Sequence, residues 1–180
     1  TDAAPAPVSP PPEGLAALEQ RLAKDLACLG WPARAWMPAS AHEGETVLDV
    51  AIVGGGQAGL AAAAALAQQG IHAVEFDRAP AGFEGPWATT ARMETLRSPK
   101  ELTGPALGLP ALTFRAWFEP QFGAEAWGRL DKIPRLQWMD YLRWYRRVMS
   151  VDVRNDTAVT RIAPLSAAGP VRLDLRAPAG

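Results

Sequence analysis

The run Gly54-Gly55-Gly56-Gln57-Ala58-Gly59 has the GxGxxG spacing, a motif whose chemistry is carried by the main chain. Gly54 allows a tight turn out of a preceding strand. Gly56 removes the side chain that would hold a pyrophosphate off the backbone, and Gly59 lets the following helix approach that strand closely. The N–H groups freed at the helix start, helped by the helix dipole, then suit phosphates. Asp77 lies 18 residues beyond Gly59, where a carboxylate at the tip of a second strand accepts hydrogen bonds from ribose hydroxyls. Glu75 competes for that role from inside the strand, two residues short of the usual distance. A carboxylate there disfavours a 2′-phosphate by repulsion, which the neighbouring Arg78 weakens. The motif alone does not separate FAD from NAD(P).

The elements around these residues must form a strand–turn–helix–strand unit. Val50, Ile52 and Val53 lie in a run typical of a parallel strand buried on both faces. Leu60–Gln69 is alanine-rich, with high helix propensity and side chains small enough for close packing on a sheet. Ile71–Phe76 reads as the second strand. The expectation is therefore an α/β, Rossmann-like fold. Strands near 47–53, 71–77 and 151–154 share one parallel sheet, helix 57–69 packs on it, and right-handed crossovers leave the glycine turn at its carboxyl edge.

After Asp77 a simple repeat would bring another helix and strand at once. Residues 79–133 are instead rich in Pro, Gly and Trp, with short helical stretches at 114–118 and 124–130. Pro134–Met149 returns to a helical stripe of Trp138, Tyr141, Leu142, Tyr145, Val148 and Met149, with Pro134 in the first turn. Arg135, Arg143, Arg146 and Arg147 read as that helix's solvated face. Strand-like segments follow at 151–154, 158–162 and 171–176, the last two joined by a Gly/Pro turn. On the N-terminal side, residues 1–12 read as an extended proline-rich leader. Leu15, Leu18, Leu22, Leu26 and Leu29 form a helical stripe stopped by Gly30 and Pro32. Cys28 reads as a buried or half-buried filler, and 30–45 as a loop. The division is 1–45, leader plus amphipathic helix, and 46–180, a dinucleotide-binding domain.

Composition narrows the function classes. Of 180 residues, 48% are hydrophobic and 21% charged, as in soluble globular proteins. A net charge of −1 gives no electrostatic reason for a nucleic-acid or anionic-membrane partner. No stretch approaches the roughly 18 apolar residues of a membrane span, and no signal peptide is evident, so the cytoplasm is expected. One cysteine and two histidines suggest no metal site. Five of seven tryptophans fall between 87 and 144. Such a region could serve a flat aromatic ligand, although for each ring core filling is the more common use.

The long insertion between the second and third strands is typical of flavoproteins with two dinucleotide folds. In those, the glycine motif holds the ADP portion of FAD and the insertion covers the flavin. GGGQAGL and DRAPAGFEGPW at 77–87 resemble the flavin-containing and N-hydroxylating monooxygenases. The stretches METLRSPK at 93–100, Leu112-Thr113-Phe114, Ile133-Pro134-Arg135 and Asp140–Trp144 are similar to ornithine and lysine N-hydroxylases. The likeness runs over about 46–176.

The resemblance implies reduction of FAD by NAD(P)H and addition of O2 to form a C4a-hydroperoxyflavin. One oxygen atom then passes to a small organic substrate. It implies cofactor contacts at Gly54, Gly55, Gly56, Gln57, Ala58, Gly59, Asp77, Arg78, Trp87 and Val159, and a flavin- or substrate-facing loop carrying Arg97 and Lys100. No catalytic acid or base is named, because the flavin carries that chemistry. A homo-oligomer is compatible with this reading.

Glu84-Gly85-Pro86 replaces the family's glycine pair. The second GxGxxG, for the nicotinamide, and the Ala-Thr-Gly strand end that closes the FAD half are absent, so the chain reads as the N-terminal part of a longer enzyme. Two alternatives stand. One is a flavin-dependent reductase or dehydrogenase that does not oxygenate, weakened by the lack of a Cys-x4-Cys pair. The other is a non-catalytic dinucleotide-binding fragment. Amine, ketone, sulfur and heteroaromatic substrates all remain open.

Overall fold

A computed structural model describes residues 14–177, so the leader expected over 1–12 lies outside the described residues. The elements run α1 (Leu15–Cys28), β1 (Ser40–His42), β2 (Glu45–Val47), β3 (Val50–Val53), α2 (Gln57–Gln68) and β4 (Ala73–Phe76). After the insertion come α3 (Phe114–Phe122), α4 (Ala124–Arg129), α5 (Arg135–Val148), β5 (Val153–Arg154), β6 (Ala158–Pro164) and β7 (Val171–Arg176). The central sheet is parallel in the order β3-β4-β5. Val50 pairs with Ala73 and Val53 with Phe76, while Glu75 pairs with Val153. Adjacent parallel strands with α2 between β3 and β4 are the expected arrangement.

Burial across the sheet is uneven. All four residues of β4 are buried, as befits a central strand covered on both faces. The strand β3 alternates half-buried and exposed, and Val53 is 55% exposed. The expectation that Val50, Ile52 and Val53 are buried on both faces is therefore corrected for the described residues, among which β3 pairs with β4 alone. The β6–β7 hairpin forms a separate antiparallel sheet, with Ile162 and Val171 exposed.

The main core lies between α5, the insertion and α1. The α5 stripe read from sequence is buried apart from a half-buried Val148, and Met139 and Trp144 join it. Phe114, at the start of α3, packs against Trp117, Phe118, Trp127, Trp138 and Tyr141 at ring separations of 5.5–6.2 Å. Core filling thus accounts for Trp117, Trp127, Trp138 and Trp144. The Tyr141 hydroxyl donates to the Leu112 carbonyl at 2.6 Å, giving a buried polar tip its partner.

Leu18 and Leu22 of α1 enter the same core. The α1 residue Glu19 accepts from Trp144 Nε1 at 3.0 Å and from Arg147. Cys28 is exposed, contrary to its reading as a filler, because it lies on the outer side of the leucine stripe. Residues 30–45 are not wholly loop: β1 pairs antiparallel with β2 through Ser40–Val47. That pairing turns on Glu43 and Gly44, both at positive φ, a short signal that periodicity does not detect.

Candidate dinucleotide-binding site

The glycine turn leaves β3 at Gly54, whose φ of 105° is open to glycine and hostile to other residues. A Cβ on Gly59 would lie 2.1 Å from the Gly54 carbonyl oxygen, and one on Gly55 would lie 2.7 Å from Val153 Cγ1. Both glycines therefore serve close packing of helix on turn and sheet. The Cα atoms of Gly56 and Gly85 face each other: a Cβ built on either would meet the other at 3.5 and 3.6 Å. The helix α2 has Gly56 as N-cap with no side-chain cap and no acidic residue in its first turn. Its leading N–H groups are thus left for an anion.

Asp77 follows β4 directly and is 8% exposed. Its Oδ2 accepts from the Gly55 N–H at 2.7 Å and its Oδ1 from the Ala79 N–H at 2.7 Å. Asp77 thus lies at the strand tip as the sequence predicts, and is itself hydrogen-bonded to the glycine turn. Each carboxylate oxygen retains a lone-pair direction for a further donor. Glu75, the competitor, is fully buried within the sheet and cannot reach a ribose in the crevice. Arg78 is exposed beside Asp77.

A crevice of about 560 Å³ runs past Ile52, Gly54, Gly56, Asp77, Gly85 and Trp87. A neighbouring cavity of about 530 Å³ is lined by Trp87, Met93, Arg97, Thr103 and Trp138 among others. Gln57 and Trp87 line both, so the crevice and the chamber adjoin at these two residues; the pair, termed the trough, has the glycine turn on one side and the chamber on the other. The Gln57 side chain is held across the junction by Trp138, whose Nε1 donates to Gln57 Oε1 at 3.1 Å. Among the described residues, Arg97 is the one charged side chain lining the chamber.

The remaining sequence-predicted residues lie elsewhere. The Lys100 ammonium donates to the carbonyls of Trp127 and Leu130 and sits over the Trp127 ring at 5.0 Å. It caps the C-terminus of α4 and is turned away from the trough. Val159 sits in the β6–β7 hairpin opposite Leu175, outside the trough's lining.

Of the α5 arginines read as a solvated face, Arg143 and Arg147 are exposed and Arg135 and Arg146 half-buried, but all four are also hydrogen-bonded. Arg146 pairs with buried Glu84 at 2.5 Å and donates to the Val153 carbonyl at 3.0 Å. Arg143 donates twice to the Gly82 carbonyl, at 2.9 and 2.6 Å, and Arg135 donates to the Trp87 carbonyl. Arg147 pairs with Glu19. Asn155 adds a bond to Glu84 at 2.6 Å. A bridge at Thr95–Pro134, with Leu96 N–H to Ile133 carbonyl at 2.8 Å, ties the 93–97 segment to the start of α5. Sequence reading missed this set of fasteners. The signal available was the arginine cluster Arg143, Arg146 and Arg147 in the second half of α5, together with an acidic Glu84 in the insertion.

Comparison with known proteins agrees with this geometry. A family model described as FAD-NAD(P)-binding matches residues 51–166. An FAD-dependent urate hydroxylase of Xanthomonas campestris pv. campestris is 52% identical over 162 residues, covering 89% of this chain and 34% of that protein. The chain thus spans about a third of that relative's length. Among solved structures, an ornithine hydroxylase from Pseudomonas aeruginosa aligns with a TM-score of 0.58 at 22% identity, over 73% of this chain and 35% of that one. An L-lysine 6-monooxygenase from Pseudomonas syringae aligns at 0.56 and 24%, over 72% and 34%. At such identities these two show the shared fold. With its glycine turn, parallel sheet and family match in register, this chain belongs to the FAD-NAD(P)-binding family.

Proposed function

We propose that this chain is the FAD-binding part of an NAD(P)H-dependent monooxygenase that hydroxylates a flat heteroaromatic substrate of the purine type. The observation that carries the reading is that the crevice at a glycine turn free of side chains adjoins a second cavity at Gln57 and Trp87. In this reading FAD would lie across both cavities, with its ribose held by Asp77, its diphosphate by the start of α2, and its ring system by the residues beyond Gln57 and Trp87. The substrate class rests on the 52% identity to an FAD-dependent urate hydroxylase, which favours a purine over the amines, ketones and sulfur compounds left open by the sequence. The residues fit the cofactor, because Gly56 and Gly85 leave the turn free of side chains where phosphates approach.

Bound FAD supplies the redox chemistry and the activation of O2. The chain's own residues bind, orient and exclude water. The N–H groups of α2 fix the diphosphate. Gln57, held by Trp138, presents an amide at the junction where the ring system enters. Trp87 gives an apolar wall, and Arg97 supplies a positive charge for an electron-rich ring edge of flavin or purine. Residues 46–180 carry the binding unit in this reading, with α1 as a buttress. The nicotinamide donor binds outside the residues described, and the cytoplasm, which supplies it, is the expected compartment.

The test is oxidation of NADH and NADPH by the full-length protein bearing this chain, in air, with urate, ornithine, lysine or no substrate. Urate-stimulated oxidation coupled to urate loss supports the reading. Stimulation by an amino acid alone, or oxidation indifferent to every substrate, overturns it.

A further inference from the structure

Directly beneath the glycine turn lies a buried group that dinucleotide binding leaves unused. Glu75 is inaccessible to solvent, and neither carboxyl oxygen has a hydrogen-bond partner among the described residues. The Tyr145 hydroxyl, contributed by α5, is also buried and without a partner there. The Glu75 side chain runs from the sheet toward the turn. A Cβ built on Gly59 would lie 2.9 Å from its Oε2, and one on Gly55 would lie 3.3 Å away.

The charged and titratable groups facing Glu75 are Asp77 just after its own strand, Glu84 from the insertion, Asp152 ahead of β5, and Arg146 and Tyr145 of α5. Arg146 is already committed to Glu84 and the Val153 carbonyl. Three carboxyl groups therefore surround Glu75 against one engaged guanidinium. A charge placed there has neither water nor a donor to stabilise it.

We propose that Glu75 sits beneath the glycine turn as a neutral carboxylic acid and is a positioning residue for the diphosphate. A carboxylate in its place would set a negative charge directly behind the N–H groups that the phosphates use. The proposal rests on the trough being the FAD site. Burial pushes the Glu75 carboxyl up to about 8, with Asp77, Glu84 and Asp152 adding to the rise and Arg146 opposing it.

The sign follows from the folded state holding a proton that the unfolded chain gives up near 4.5. Stability from this group is complete below about pH 4.5 and is lost progressively as pH rises to about 8. Diphosphate affinity should fall later, as the folded-state proton leaves.

The decisive variant is Glu75→Gln, which keeps shape and neutrality. FAD affinity by flavin fluorescence, and urea midpoints, would be followed from about pH 6 to about pH 9 on the full chain. Wild-type affinity should weaken by roughly tenfold across that range, whereas Glu75→Gln should change by less than about twofold. The midpoint gap between Glu75→Gln and wild type should widen with pH and level off above about pH 8.

A pH-independent midpoint gap, or parallel loss of affinity in both proteins, overturns the proposal. Should Glu75→Gln fail to fold, the infrared C=O band of a protonated carboxylic acid in wild type at neutral pH, bleaching near pH 8, decides the same question; its absence overturns the proposal. If neither protein binds FAD at any pH while the band is present, the trough reading fails, and with it the positioning role. In that case the neutral acid itself still stands, so the two failures are told apart.

Discussion

The two walls of the trough are built in opposite ways. The Gly54–Gly59 wall is shaped by absent side chains: a Cβ at Gly59 would drive into the Gly54 carbonyl and one at Gly55 into Val153. The opposing wall, Glu84–Trp87 with the 93–104 segment, has little regular structure. It is held by side chains from α5: Arg146 on Glu84, Arg143 on Gly82 and Arg135 on Trp87. One wall is specified by local sterics, the other by long-range hydrogen bonds. Substitutions should therefore damage them differently.

The largest expected effect is on the first wall. Gly59→Ala must push α2 off the turn, costing about 3 kcal/mol or more, seen as a lowered urea midpoint together with lost dinucleotide binding. Gly128→Ala in α4 tests the contrast, because a Cβ there meets nothing within 4 Å.

On the second wall, Arg146→Ala strands a buried Glu84 carboxylate. Breaking a buried pair costs about 3–5 kcal/mol. With Arg146 still a quarter exposed, about 2–3 kcal/mol is expected. Limited proteolysis should then cut near 84–87 before α2 is attacked. If Gly59→Ala were to open that segment equally early, the two walls would be one cooperative unit and the contrast would be broken.

A smaller effect belongs to Tyr141→Phe, which removes the bond to the Leu112 carbonyl in the core behind the second wall. It should cost about 1–2 kcal/mol in urea unfolding and leave binding unchanged. The smallest is Gly128→Ala itself, which should stabilise by about 0.5–1 kcal/mol through helix propensity, read as a slightly higher Tm.

The same contrast explains how much was legible in the sequence. The β3–turn–α2–β4 unit could be read because its constraints are local: glycine spacing, a run of β-branched residues, an alanine-rich helix and a carboxylate at a set distance. The core face of α5 was equally legible from its 3.6-residue period. The roles of Arg135, Arg143 and Arg146 were not, because an arginine on a helix reads as solvated until a partner from 48 to 62 residues away in the chain is brought to it. Lys100 was misread for a like reason, since the α4 carbonyls it caps are neighbours only after folding. Val53 reads as buried by composition, and its exposure here follows from β3 having only β4 as partner among the described residues, which one strand's residues do not encode.

The central claim is that the trough holds FAD from its ribose to its ring system. The direct measurement is calorimetric titration of the full chain, as wild type and Asp77→Ala, with FAD and with ADP. The account expects one FAD per chain, bound at least about tenfold more tightly than ADP because the ring chamber contributes. Asp77→Ala should weaken both ligands alike, by about tenfold to a hundredfold, through the loss of charge-assisted hydrogen bonds of about 1.5–3 kcal/mol. Equal affinities for FAD and ADP would show that the chamber does not receive the flavin, and affinity untouched by Asp77→Ala would show that the ribose end lies elsewhere.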